Sequence, residues 1–169
     1  MINQISVYDK ENFFELYQKL RSNPISLNEV VEKPTMLSLL PDLQGKKLLD
    51  LGCGAGEHLA LYLSRGARHV VGIDLSANML KQAKIDLEKR GEFKDCFSLY
   101  QLPMEKLIEL PEDNFDVITS SFAFHYIKEF PQLLSAIFNK LKANGVLVFS
   151  QEHPITTCHK TGERWEKNE

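Results

Sequence analysis

The chain has 169 residues, 43% hydrophobic and 25% charged, which suits one packed domain and excludes a disordered, collagen-like or disulfide-dense chain. Lys and Arg number 20 against 23 Asp and Glu, a net charge of −3 that offers no broad electrostatic grip on nucleic acid. No apolar run approaches the roughly 20 residues of a membrane helix, and MINQISVYDKENFF lacks the basic and apolar regions of a signal peptide. With three widely spaced cysteines (Cys53, Cys96, Cys158), the expectation is reduced thiols and a soluble cytoplasmic protein.

In chain order, residues 8–20 place Phe13, Leu16, Tyr17 and Leu20 at helical spacing, and Ser22-Asn23-Pro24 ends that helix. A second helix is expected over 28–40, kinked or restarted at Pro34, with Pro41 and Gly45 closing the segment. From Lys47–Leu51, a short apolar strand, the pattern alternates. Gly52 to Gly56 is a glycine turn, 57–65 a helix and 69–73 a strand. Ser76 is placed to cap a helix over 77–90, and Gly91 to end it with positive φ. Strands follow at Phe97–Gln101, 115–120 and 145–151, with a helix over 130–142 before the last. Lys140 and Lys142 supply cations at that helix's end, and Asn144-Gly145 makes the turn.

Strands alternating with helices imply parallel pairing through right-handed crossovers, hence a doubly wound α/β sheet preceded by N-terminal helices. The runs LLDL, HVVGI and GVLVF are continuously apolar, as strands covered on both faces should be. The expected division is a helical cap over 1–45, an α/β unit over 46–154 and a polar tail over 155–169, folded as one domain.

The informative stretch is LLDLGCGAGEH, from Leu48 to His58. A strand runs into a glycine turn that opens a helix, where backbone can approach a ligand closely and free N–H groups meet it. Asp74 ends the next strand, where an acid in doubly wound folds accepts hydrogen bonds from ribose hydroxyls. A nucleoside-containing ligand is therefore expected. A dinucleotide site would show G-x-G-x-x-G, whereas here G-C-G-A-G is followed by Glu57, which would repel a pyrophosphate. A ligand carrying an amino group and a sulfonium suits such a carboxylate better.

Leu48 to His58, Val70 to Ser76 and Phe115 to Tyr126 together resemble the class I S-adenosylmethionine-dependent methyltransferases, over most of the chain. The resemblance implies a Rossmann-like fold and S-adenosylmethionine as cofactor, with S-adenosylhomocysteine as product. It implies that Asp50, Gly52, Gly54 and Gly56 face the methionine part, that Asp74 binds the ribose, that Leu75 packs on the adenine, and that Cys53 and Met79 belong to the cofactor-binding set. Relatives place an acid after the third strand. Here Pro103 stands there, so adenine recognition falls to Met104 and Glu105, while Ser120 lies under the methionine end. Tyr17-x-x-x-Arg21 and Asn28-x-x-x-Glu32-x-Pro34 resemble a subset of small bacterial methyltransferases, where the Tyr/Arg pair holds the cofactor carboxylate.

Several residues carry two readings. Cys53 is a nucleophile by appearance and a packing residue by position. His125 and His153 are candidate general bases beside the fourth and fifth strands, or structural imidazoles. Phe122, Phe124, Tyr126 and Phe130 line a pocket or fill the core. His153, Cys158 and His159 match no zinc spacing, so no metal is expected.

Relatives continue with a helix and a hairpin that complete a seven-stranded sheet, which the polar residues 155–169 cannot supply. The expectation is a sheet lacking its last strands, with the fifth and fourth strands losing neighbours and an exposed edge that invites a homo-oligomer. The leading expectation is a methyltransferase acting on a small-molecule acceptor, with no nucleic-acid or membrane partner. A shortened chain that binds the cofactor without turnover, and a nicotinamide oxidoreductase by fold analogy, are the alternatives.

Overall fold

The computed structural model describes Asp9 and residues 24–153. The expected helix over 8–20, Tyr17, Arg21, Cys158, His159 and the tail over 155–169 lie outside the described residues. A π-helical turn at Asn28–Glu32 leads into helix α1, Lys33–Leu39, with Pro34 in its first turn. Proline is tolerated there because the first N–H groups of a helix have no partner to lose. The expected restart at Pro34 is this junction.

Strands β1 (Lys47–Leu51), β2 (His69–Asp74), β3 (Phe97–Gln101), β4 (Phe115–Ser121) and β5 (Leu141–Ser150) form a parallel sheet in the order β3-β2-β1-β4-β5. Helices α2 (Glu57–Ser64), α3 (Ala77–Glu88) and α4 (Phe130–Lys140) make the crossovers, with 3-10 turns at Met104–Glu109 and Phe124–Tyr126.

Adjacent apolar residues divide between two cores. Leu48, Val70 and Val117 pack with Leu59, Tyr62 and Leu87 on the α2/α3 face. Leu49, Val71 and Ile118 pack with Leu107, Leu133 and Ile137 on the other. A strand whose side chains alternate between two buried faces must be apolar at nearly every position, which is why these segments read as unbroken runs.

The structure corrects several expectations. α3 stops at Glu88, and Gly91 opens a short 3-10 turn, Gly91–Phe93, without left-handed backbone. The positive φ falls instead on Asp95, at 66°. Lys140 is not a solvated cation: it is buried, and its ammonium donates to the Leu110 carbonyl. β5 begins early, because Leu141 already pairs with Phe115 before a bulge containing Asn144, at φ 63°, restores register at Val146. β4 keeps both neighbours, β1 and β5, so among the described strands β5 is the outermost on that side.

Candidate functional site

The chain runs β1, β2, β3 outward in one direction, then returns to lay β4 against the other side of β1. The two loops leaving β1 and β4 therefore diverge, and the crevice between their carboxyl ends is where open α/β sheets bind ligands.

The loop after β1 is locally determined. Gly52, Gly54 and Gly56 have φ of 74°, 52° and 79°. The amides of Gly52 and Cys53 donate to the Ile73 carbonyl at 2.9 and 3.0 Å, folding the loop back over β2. A Cβ on Gly52 would lie 2.8 Å from both Ala123 Cβ and Met104 Cε, so side chains from the loops after β4 and β3 close directly over this backbone. Among the described residues, a Cβ on Gly54 would meet nothing within 4 Å. No described side chain covers that backbone.

Asp74 lies against the same backbone. Its Oδ2 accepts the Gly54 amide at 2.9 Å and its Oδ1 the Ser76 amide at 2.8 Å. The carboxylate thus holds both βα loops, and about four lone-pair sites leave it further capacity for a diol. Burial pushes its pKa above the ordinary 3.8, opposed by these amides. Ser76 caps α3 as expected, accepting the Met79 amide at 3.2 Å, and donates to Asp9 Oδ1 at 2.6 Å.

The remaining expected residues fall as follows. Asp50 is buried and accepts the Thr119 hydroxyl at 2.7 Å; burial raises its pKa, against the pull of His58. Cys53 is 7% exposed and packs in the core, with its sulfur where a Cβ on Gly72 would lie at 2.7 Å. Burial, then Asp74 and Asp50, push its thiol well above the usual range, so it is a packing residue rather than a nucleophile. Met79 is buried, Leu75 and Met104 are half-buried, and Glu105 is exposed. Ser120 is fully buried and spends its hydroxyl on the Leu51 carbonyl at 2.9 Å.

His125 sits in the 3-10 turn after β4, its ring 4.2 Å from that of Tyr126 and its Nδ1 enclosed without a partner. His153 is exposed just beyond β5. Phe122 holds a left-handed φ of 48°, costly for an aromatic residue, and its amide is secured by the Ser150 carbonyl at 3.0 Å. Phe124 packs in the core, against Phe130 and Phe149, while Tyr126 is exposed. Strain of this kind concentrates where a loop must present a fixed surface to a ligand.

One part of the site involves Glu32, a residue of the Asn28-x-x-x-Glu32-x-Pro34 pattern to which the sequence assigned no role. Glu32 Oε1 accepts the hydroxyls of Ser121 and Ser150, each at 2.7 Å, and Glu32 Oε2 faces His58 Nε2 at 4.0 Å. The His58 and Tyr62 rings stack at 5.9 Å, and Tyr62, whose hydroxyl has no partner, has a pKa raised by burial and then by Asp50. The available signal was the polar run Thr119-Ser120-Ser121 closing an otherwise largely apolar strand, and the acid Glu32 next to Val31.

With this geometry in view, residues 49–149 match the family described as Methyltransferase domain. The chain belongs to the class I S-adenosylmethionine-dependent methyltransferases. It is 74% identical over all of its length to an uncharacterized Haemophilus influenzae protein, of which it spans 66%. It is 31% identical over 136 residues to a ubiquinone biosynthesis O-methyltransferase of Psychrobacter cryohalolentis (76% of this chain, 52% of that protein). It is 30% identical over 147 residues to a tRNA U34 carboxymethyltransferase of Shewanella woodyi (82% and 44%). The crystal structure of a putative S-adenosylmethionine-dependent methyltransferase from Listeria monocytogenes superposes with a TM-score of 0.70 at 36% identity, covering 82% of this chain and 62% of that one.

The residues present fit that cofactor. The buried acid Asp50, the Gly54 backbone that no described side chain covers and the spare acceptor sites of Asp74 suit a cationic end, a close approach and a diol. Among the described residues no helix is long and apolar enough to cross a membrane.

Proposed function

We propose that the protein transfers a methyl group from S-adenosylmethionine to a small-molecule acceptor at the crevice between β1 and β4. The observation that carries the reading is Asp74, fixed with acceptor capacity to spare by the Gly54 and Ser76 amides, beside backbone that no described side chain covers. The cofactor's sulfonium makes its methyl group electrophilic, so the protein's task is alignment.

In this reading Asp74 accepts from the ribose hydroxyls, and the glycine loop admits the cofactor close to backbone. Asp50, one residue before the loop, faces the cationic methionine end. Leu75, Met79, Met104 and Glu105 surround the adenine, and Tyr17 and Arg21 close on the carboxylate. For a hydroxyl acceptor, His125 is the candidate base. Its Nδ1 is enclosed, which leaves Nε2 to take the proton. His153 is the alternative from the end of β5, and an amine arriving unprotonated needs neither.

A small acceptor is favoured over nucleic acid by the net charge of −3 and the lack of a basic run interleaved with aromatics. Methyl-labelled cofactor supplied with a metabolite extract and, separately, with total tRNA tests both points. Label in the small-molecule fraction is expected, and label in the tRNA fraction would replace that acceptor class. Because the chain spans only part of its relatives, cofactor binding without transfer is the second reading. Tight binding with no label in either fraction identifies it.

A further inference from the structure

We infer that Glu32 is a specificity-determining residue for the charge of the methyl donor, favouring the cationic sulfonium over the neutral thioether left after transfer. The inference rests on the donor-binding reading above and adds a residue that the glycine-loop signature does not contain.

Register explains why Glu32 can act there. Asp50 pairs with Thr119 across β1 and β4, and Ser121 pairs with Ser150 across β4 and β5. Thr119 and Ser121 are two residues apart, so all four side chains share the α2 face of the sheet at its carboxyl end. The turn Asn28–Glu32 inserts Glu32 over this row, and both serine hydroxyls converge on its Oε1. The residue is 6% exposed. Its Oε2 is enclosed and receives no hydrogen bond, and the nearest ionisable nitrogen, His58 Nε2, stands 4.0 Å away and is itself without a partner.

A buried carboxylate ordinarily has a cation or a full set of donors, because removing it from water is costly. Among the described residues no Lys or Arg lies within 4.0 Å of Glu32 or Asp50, the other acid of the cluster. Among the described residues the two acids face one imidazole and no lysine or arginine, an arrangement that favours a positive ligand where screening is weak. The methyl donor is positive at sulfur and the product is not. Both carry the same α-ammonium, so a carboxylate held here separates them by its attraction for the sulfonium alone and favours the donor.

The bland alternative is a clamp that only ties the 28–32 turn to the ends of β4 and β5. Such a clamp would affect both ligands alike. The test is calorimetric titration of the chain and its Glu32→Gln variant with S-adenosylmethionine, S-adenosylhomocysteine and sinefungin, whose amine supplies the charge without a sulfonium. The glutamine retains an acceptor for both serines. The ratio of donor to product affinity should fall about tenfold, the order expected for one charge at low effective dielectric, with sinefungin following the donor. An unchanged ratio, equal weakening of all three, or sinefungin following the product overturns the inference. If Glu32→Gln does not fold by circular dichroism, Glu32→Met, an apolar near-isostere, must show the same shift. A wild-type chain that binds none of the three defeats the donor reading itself, before any variant is compared.

Discussion

At the amino ends of the strands Glu112 and Asp116 are met by lysines, whereas at the carboxyl ends Asp50 and Asp74 are met by a hydroxyl and by backbone amides. Lys47 lies 2.8 Å from Glu112, which also accepts the Tyr100 hydroxyl at 3.0 Å, and Lys142 lies 2.8 Å from Asp116. Burial pushes both acids up, but the lysines and hydrogen bonds outweigh it and hold them below the ordinary carboxylate value. For Asp50 and Asp74 burial prevails and the pKa rises. The same residue types thus differ between the two ends: paired with lysines at the amino ends, and held by a hydroxyl and amides at the carboxyl ends, where open α/β sheets bind their ligands.

That contrast can be broken by substitution, and the loops should respond most. Gly52→Ala puts a Cβ into Ala123 and Met104 at a φ of 74°, so a loss of about 3 kcal/mol in urea unfolding is expected, with cofactor affinity falling in parallel. Asp74→Ala should weaken cofactor binding at least tenfold, about 1.4 kcal/mol, by calorimetry; unchanged affinity would remove the ribose role.

The pH response sharpens the comparison. Asp50 has its pKa raised, so between 3.8 and that higher value the folded state holds a proton the unfolded state has lost, and stability falls as pH rises. Asp50→Asn abolishes this fall while still accepting from Thr119. Its melting temperature should therefore gain on the wild type from pH 4 to pH 7, and a constant difference would contradict the raised value. At the other end, Glu112 is lowered, so its contribution is present above 4.5 and is lost as pH falls. Lys47→Met should cost about 0.5–1 kcal/mol at neutral pH and leave cofactor affinity unchanged.

Local chemistry made most of the fold legible. Glycines at positive φ, a serine at a helix start and doubly buried apolar strands each leave a mark within a few residues. Where the structure departed from expectation, a neighbour distant in sequence was responsible: Lys140 is drawn inward by the Leu110 carbonyl, and β5 starts early because Phe115 is there to pair with Leu141. Gly91 misled because the following 3-10 turn passes the left-handed residue on to Asp95.

The candidate site divides the same way. Asp50, the glycine loop and Asp74 were evident because strand, turn and helix start place them within one βαβ unit. The Glu32 cluster was not, since its hydrogen-bond partners lie 89 and 118 residues along the chain. Which serines meet that acid depends on the strand order β1-β4-β5 and on a bulge that sets register after Phe115. Periodicity and turn chemistry act over a few residues and so determined, by themselves, the α/β alternation and the glycine loop after β1. Only the assembled sheet decided which polar side chains would share a buried face, because that depends on pairing between strands and on no local preference.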